Sequence, residues 1–543
     1  MPAEEEEVGG EAAEGHARGE RLWSVAELWH AQKRARTGAD VEEAEETEVG
    51  EWDQLVDGEH PYGVRPEGNL LALDAEGQTR RNVLDTSLGS LRRFTDAAVL
   101  AVLSRLPADV LCRVSAASRG LYVFSHHSSL WRDLTLSEHG GDFNYRGGWK
   151  QTYISRLYPS FSGHKPLRVE GCYSDALYDP WMNSALQIDP TWLMVDNVQR
   201  RAGLTPEDFV RNFETPGIPV ILTDVMKSWA GVQEWKAARL REKYADTMFR
   251  VSATTDMRLA DFLDYCERAS DERPLYLFDR HYSTKCPDMQ NEYAIPPHFR
   301  DDLMSVLGDS RPDYRWLIMG PARSGSSFHV DPNCNFAWNA TVQGRKKWIL
   351  YPPHIKPPLD DDEVSLLQWF VRHYHEDHES KCKRLECVTQ AGELMYVPRG
   401  WWHCVLNLEF SIALTHNVVT QRNLVPVLDF LAEGTSCNPG QGCRGDIAIN
   451  VSGDVPPSVI FPPFKKNKKA NRAEACRCFS QRLKLLSDLE DGLARYHPGL
   501  VHRLKEERQR QRNAAKSSWA DLNLFPAPSS SPGDSAETFS FGF

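Results

Sequence analysis

Helical spacing organises the chain between Phe94 and Leu136. Val99, Val102, Leu103 and Leu106 recur at helical intervals behind Thr95 and Asp96, residue types that cap a helix N-terminus. Leu106-Pro107 ends that helix and opens a second, because proline has no N–H to continue the ladder yet suits a first turn. Val110, Leu111, Val114 and Ala117 then share one face. A third apolar segment runs from Leu121 to Leu134 and closes with Leu130-Trp131-Arg132-Asp133-Leu134. Three short amphipathic helices enclose very little apolar surface, so this unit is expected to dock on something larger.

From about 170 to 425 the period changes. Short apolar runs at Pro219–Leu222, Tyr314–Met319, Lys347–Tyr351, Glu393–Val397 and Ser411–Val419 are bounded by Gly, Pro and Asn. Many short strands between turns predict an antiparallel barrel or jelly roll. Thr205–Glu214, Trp235–Tyr244 and Leu259–Arg268 read as helices flanking it. Beyond it, Val425–Glu433 reads as a helix with Pro426 in its first turn, followed by Gly- and Pro-rich linkage and a basic helical stretch. The expected organisation is an acidic, mostly disordered head (1–75), the helical unit (94–136), the β-rich domain with its N-terminal helices (170–425), a C-terminal linker and basic helical region (426–520) and a disordered tail (521–543).

Composition agrees with several domains. With 543 residues, 41% of them hydrophobic and 10% aromatic, the chain can build large cores, which rules out wholesale disorder. No apolar run approaches the roughly 18 residues of a membrane span. The N-terminus MPAEEEEVGG lacks the features of a secretory signal, and 12 irregularly spaced cysteines suit free thiols in a reducing compartment. The net charge of -13 resides in residues 1–60, where 18 acidic residues face 5 basic ones. The basic cluster Lys465-Lys466-Asn467-Lys468-Lys469 fits an import signal or a nucleic-acid contact, and the sequence leaves both open. The expected location is nuclear, with the cytoplasm as an additional site.

Candidate chemistry sits in two pieces of the β-rich region. In Ser326-Ser327-Phe328-His329-Val330-Asp331-Pro332, strand alternation puts His329 and Asp331 on one face and Val330 on the other. Gly400-Trp401-Trp402-His403 follows Pro398 at the end of a later strand. Two imidazoles and one carboxylate make a facial triad that suits non-haem Fe(II), although Mn, Co or Zn can occupy such a set.

The segment between them, Asn335-Phe336-Ala337-Trp338-Asn339-Ala340-Thr341-Val342-Gln343-Gly344-Arg345-Lys346-Lys347-Trp348, resembles the JmjC family of Fe(II)- and 2-oxoglutarate-dependent oxygenases. The similarity is greatest to the branch of the JmjC lysyl hydroxylase and arginine demethylase, the phosphatidylserine-receptor-like branch. It spans about Thr205 to Thr420 and includes Pro274-Leu275-Tyr276-Leu277-Phe278-Asp279 and Val405-Leu406-Asn407-Leu408. The resemblance implies a double-stranded β-helix (jelly roll, cupin), with Fe(II), 2-oxoglutarate and O2 as cofactor and cosubstrates. It implies His329, Asp331 and His403 as the catalytic iron ligands, and Lys346 as the partner of the distal carboxylate of 2-oxoglutarate. Tyr276, Asn339 and Thr415 match positions that hydrogen-bond the cosubstrate, Ser326 stands near cosubstrate or substrate, and Asn417 is a further polar group of the pocket. Lys347 is expected on the opposite face of its strand. The implied reaction hydroxylates, or oxidatively demethylates, lysine or arginine side chains of a protein substrate. Asn333-Cys334-Asn335-Phe336 departs from the branch at the pocket mouth, so substrate preference does not carry over. The insert Asp360–Glu386, with His373, His375, His378 and Cys382, is expected to be a solvated loop; its ligand spacing is too loose for structural zinc.

Two further resemblances concern partners. Phe94-Thr95-Asp96, Ser118-Arg119, Leu121-Tyr122 and the closing Leu-Trp-Arg resemble an F-box without its opening Leu-Pro, which implies docking on a Skp-type adaptor of cullin–RING ubiquitin ligases. Family relatives dimerise through C-terminal helices, so Val425, Leu428, Phe430 and Leu431 serve either a homodimer or packing back on the barrel. The expected fold is therefore multi-domain, a small α-helical F-box-like domain followed by a JmjC double-stranded β-helix with flanking helices. The alternative to an oxygenase is an F-box adaptor that uses the barrel to bind targets.

Overall fold

In a computed structural model, Thr95 Oγ1 accepts from Ala98 N and caps the first helix, as its position in the sequence suggests. The structure describes residues 59–510 except 74–76, 162, 164, 253, 360–364, 380–383, 434–469, 505 and 507–509. The acidic head, the 465–469 cluster and the tail lie outside these residues.

Helices α1 (Asp96–Leu103), α2 (Ala108–Ser115), α3 (Arg119–Ser125), α4 (Ser128–Glu138) and α5 (Trp149–Leu157) form the N-terminal unit. The expected third helix is two: Ser118 caps α3 by accepting from Leu121 N, and the chain breaks at His126-His127 before α4. One core joins Val99, Leu103 and Trp131 of this unit to the β-rich domain. Across the seam, Trp149 Nε1 and the Tyr265 hydroxyl both donate to Asp271, each at 2.6 Å. The small unit thus docks on the larger one.

Eleven strands then form two facing sheets. They are β1 (Gln199–Arg201), β2 (Val220–Leu222), β3 (Leu277–Asp279), β4 (Arg315–Gly320), β5 (Gly325–His329), β6 (Phe336–Gln343), β7 (Lys346–Tyr351), β8 (Leu385–Thr389), β9 (Leu394–Val397), β10 (Trp402–Asn407) and β11 (Ser411–Val418). The seven-stranded sheet has the order β1-β2-β9-β6-β11-β4-β3 and the four-stranded sheet β8-β7-β10-β5. All neighbours are antiparallel except β1 and β2. Between the sheets lie Trp348, Leu350, Met395, Val397 and Val405. The outer face of the larger sheet buries Trp338, Ala340, Tyr396 and Leu414 against helix α6 (Leu259–Arg268) and its neighbours. Because both faces are covered, β6 is buried at all but its last position and carries little alternation for a sequence reading to detect.

The insert is not the expected solvated loop. Its residues Leu366–Glu379 form helix α7, whose Leu367, Trp369, Phe370 and Tyr374 cover the outer face of the smaller sheet at Ile349, Tyr351 and Cys404. The apolar positions of an amphipathic helix there outweigh its histidines and charges. The C-terminal helices also turn inward. Leu428, Phe430 and Leu431 of α8 (Leu424–Glu433) pack with Leu303, Met304 and Leu307, and with Leu485, Leu489 and Leu493 of α9 (Ala470–Tyr496). These side chains therefore pack within the chain, the second of the two expected uses, although on these elements and not on the sheets. Six cysteines are free among the described residues, but Cys334 is disulfide-bonded, against the expectation of free thiols. No described helix is long and apolar enough to cross a membrane.

Candidate active site

His329 ends β5 and His403 lies at the start of β10, directly opposite it in the register of the antiparallel pair. Their ring centroids are 4.2 Å apart. A glycine with φ of 81° at position 400 makes the turn that leads into β10. The register shifts between His403 and Val405, an irregularity of the kind that re-aims a side chain at a site. Asp331, in extended backbone two residues after His329, returns its carboxylate to the same face. The three side chains offer ligand atoms that all lie within 4.8 Å of one another.

The electrostatics suit a cation. His329 Nδ1 lies 2.8 Å from the Ser327 carbonyl, and His403 Nδ1 lies 3.1 Å from that of Trp401. Each Nδ1 therefore carries the proton, which leaves each Nε2 lone pair for a metal. Burial pushes both imidazoles down to about 4, so both are neutral donors at physiological pH. Burial pushes Asp331 up to about 6, and its Oδ2 is buried without a hydrogen-bond partner. A divalent cation would supply what this orphaned carboxylate oxygen lacks. Two neutral imidazoles and one carboxylate fit Fe(II).

Deeper between the sheets lies a second set. Lys346 is 1% exposed, and no hydrogen bond or ion pair engages its Nζ among the described residues. Burial alone lowers its pKa to about 7. Lys347 points to the other face, as expected, but not into solvent: it is buried, with Nζ 2.6 Å from Glu386 Oε2. Asn339 and Thr415 oppose each other across β6 and β11. Thr415 Oγ1 donates to the Trp338 carbonyl at 3.0 Å, while Asn339 Oδ1 is buried and unpartnered. The Tyr276 hydroxyl is within hydrogen-bonding reach of Ser326 and Asn407, and burial raises its pKa. Asn417 is buried opposite Ala337 on the same face as Thr415. All the expected site residues thus line one inter-sheet space. A buried ammonium without an anion, in a space whose inner strand faces also carry hydroxyls and amides, fits a dicarboxylate cosubstrate. Sequence reasoning missed Asn407, although the alternation 403, 405, 407 places it on the inner face with His403. It also missed the Glu386 partner of Lys347, which lies on β8 at the end of the insert.

Residues 206–418 match the cupin-like domain family, a span that takes in β2 to β11. The arginine-specific demethylase JMJ22 of Arabidopsis thaliana is 40% identical over 437 residues, covering 77% of this chain and 86% of the relative. The chain belongs to the JmjC family of iron- and 2-oxoglutarate-dependent oxygenases. The bifunctional arginine demethylase and lysyl-hydroxylase psr-1 of Caenorhabditis elegans is 37% identical, covering 42% of this chain and 63% of that protein. The human 2-oxoglutarate and iron-dependent oxygenase JMJD4 is 30% identical, covering 42% of this chain and 62% of its own length. The chain thus spans less than two thirds of these latter two relatives. The JMJ22 similarity extends well beyond the 206–418 cupin-like match, so the JmjC relationship is not confined to the sandwich.

Proposed function

We propose that this chain is a JmjC protein oxygenase that hydroxylates, or oxidatively demethylates, lysine or arginine side chains of a protein substrate. The observation that carries the reading is the triad His329, Asp331 and His403, with ligand atoms within 4.8 Å, beside a buried lysine without a counter-ion. Fe(II) with 2-oxoglutarate and O2 would supply the oxidising power for inserting one oxygen atom into a substrate C–H bond, the other oxygen atom going to succinate as CO2 is lost. The protein's own residues do the rest. His329, Asp331 and His403 would hold the metal with two imidazole nitrogens and one carboxylate oxygen. Lys346 neutralises the distal carboxylate of 2-oxoglutarate, with Tyr276 and Ser326 beside it and Asn339 and Thr415 on the facing sheet. The apolar layer of Trp348, Val397 and Val405 keeps water from the space between the sheets. At an N-methyl carbon the hydroxymethyl product would break its C–N bond, the carbon leaving as formaldehyde and the nitrogen keeping a proton, which is demethylation.

The test is succinate release with Fe(II), ascorbate and 2-oxoglutarate in the presence of a lysine- and arginine-containing peptide library. The wild type releases succinate and gives peptides a mass gain of one oxygen or a loss of one methyl. If it does no more than His329→Ala, the oxygenase reading is lost.

A second activity is compatible with the first. The 94–136 unit reads as an F-box that docks a Skp-type adaptor, and Phe94 and Val102, 54% and 51% exposed, support it as apolar surface awaiting a partner. We further propose nuclear import, which the basic cluster 465–469 supports; tagged protein lacking that cluster should lose nuclear accumulation.

A further inference from the structure

Asn407 stands directly across from Lys346 in the register of β7 and β10. Residues so opposed share a face, with Cβ atoms about 4.5–5.5 Å apart. The Asn407 amide is fully buried, and its orientation is set by a chain of hydrogen bonds. Ser324 Oγ donates its one proton to the Pro321 carbonyl at 2.6 Å, so towards Asn407 it can only accept. Asn407 Nδ2 donates to it at 2.9 Å. That fixes the amide nitrogen at Ser324 and turns Oδ1 away from it. Oδ1 is buried and receives no donor, and Lys346 opposite finds no acceptor, so the two side chains share a face without a hydrogen bond between them.

The backbone holds this arrangement firmly. Asn407 N donates to the Ser324 carbonyl, and Arg323 N donates to the Asn407 carbonyl, each at 2.8 Å. At the end of β4, a Cβ on Gly320 would run into Ser324 Oγ and the Tyr276 ring. Glycine there lets Tyr276 and Ser324 close on Asn407 together. The Tyr276 side chain lies against Asn407 and Ser326 and completes the group, without a hydrogen bond to Asn407 Oδ1.

We propose that Asn407 is a positioning residue that aims the Lys346 ammonium at the distal carboxylate of the 2-oxo acid, and so sets the preference for a dicarboxylate cosubstrate. The proposal rests on the reading of Lys346 given above. An amide oxygen suits this task because it orients an ammonium without neutralising it. A carboxylate in its place would pair with Lys346 and repel the incoming dianion.

The test compares 2-oxoglutarate with 2-oxobutanoate, which keeps the keto and C1 carboxylate groups but lacks the distal carboxylate. Binding of each to the full-length protein loaded with Mn(II), a stand-in that does not turn over, is followed by calorimetry. Asn407→Asp is expected to weaken 2-oxoglutarate by about tenfold or more, while Mn(II) and 2-oxobutanoate affinities stay within about twofold. Equal losses for both acids, or no loss, overturn the proposal, since a merely structural asparagine has no reason to distinguish them. Lys346→Ala separates the two readings. If it leaves the ratio of the two affinities unchanged, the reading of Lys346 falls and the proposal with it. If it collapses the ratio while Asn407→Asp does not, the positioning role alone is lost. Should Asn407→Asp not fold, Ser324→Ala frees the amide to turn and is expected to lower the same ratio by a smaller factor; an unchanged ratio overturns the proposal there too.

Discussion

Lys346 and Lys347 are neighbours on β7, both buried, and face opposite sides of the sheet; Lys347 has an anion 2.6 Å away, whereas Lys346 has none among the described residues. The difference separates a cation neutralised within the fold from one left without a partner there, as the proposed role of Lys346 requires. Glu386 also accepts from Arg384 Nε at 2.8 Å and from the Tyr374 hydroxyl at 2.9 Å, so it anchors α7 and two cations behind the site. Glu386→Ala leaves both cations buried without their carboxylate and should cost about 3–5 kcal/mol in denaturant unfolding. Lys346→Ala should leave stability unchanged or raised, because it removes a charge buried without a partner, yet greatly weaken 2-oxoglutarate binding. A large loss of stability in Lys346→Ala would contradict its assignment to the cosubstrate.

Cosubstrate binding should depend on pH through the same lysine. Burial holds Lys346 at about 7 in the free protein, and a carboxylate placed beside it raises that value. The affinity is therefore complete below about pH 7 and falls as pH rises, by up to about tenfold per unit, until the pKa of the complex is reached. Calorimetry of 2-oxoglutarate with the Mn(II)-loaded protein in buffers of different ionisation enthalpy should show proton uptake above about pH 7. Lys346→Arg, which stays charged, should abolish that uptake.

His60 offers an independent check on the N-terminal seam. It is 7% exposed, and its Nδ1 accepts from Tyr62 N at 3.2 Å. Burial, with smaller contributions from His127 and Arg168, pushes its pKa down to about 3. The unfolded chain therefore takes up the proton first, and this residue's share of stability is lost as pH falls from about 6.5 towards 3, by up to about 1.4 kcal/mol per unit. Replacing His60 with Asn should make unfolding free energy fall less steeply over that window than in the wild type. Parallel curves would mean that His60 does not stay neutral in the folded protein.

What was legible in the sequence follows from how local each signal is. His329 and Asp331 are two residues apart on one strand, so alternation alone pairs them. His403 joins them through a strand pairing that no local pattern encodes; Gly400-Trp401-Trp402-His403 at the end of a later strand marks it as a candidate, and the resemblance of the intervening segment strengthens it. The helix α7 was missed because a charged, histidine-rich insert looks solvated until Trp369 and Phe370 are seen against the smaller sheet. The single helix expected from Leu121 to Leu134 became two because Ser118 caps the first turn and His126 ends it, both backbone events that hydrophobic spacing does not record. Asn407 carries no motif of its own; its meaning comes from the residue opposite.

The adaptor reading needs a test that spares the core. Trp131 is 1% exposed, donates from Nε1 to the Ser125 carbonyl at 2.8 Å, and belongs to the core shared with the oxygenase domain. Leu106 packs against the same core, so polar replacements at either position would disturb the fold and the putting together of the two units. Phe94 and Val102 are the better choice, since more than half of each side chain's surface is already exposed. Changing both to serine in the full-length protein should alter stability by no more than about 0.5 kcal/mol for each, as expected for surface positions. Succinate release should also be unchanged. Copurification with a Skp-type adaptor should be lost, because a docked partner would bury that apolar surface and gain roughly 25 cal/mol per Å² from it. If the doubly substituted protein recovers as much adaptor as the wild type, or if the wild type recovers none, the F-box reading is removed and the oxygenase stands alone.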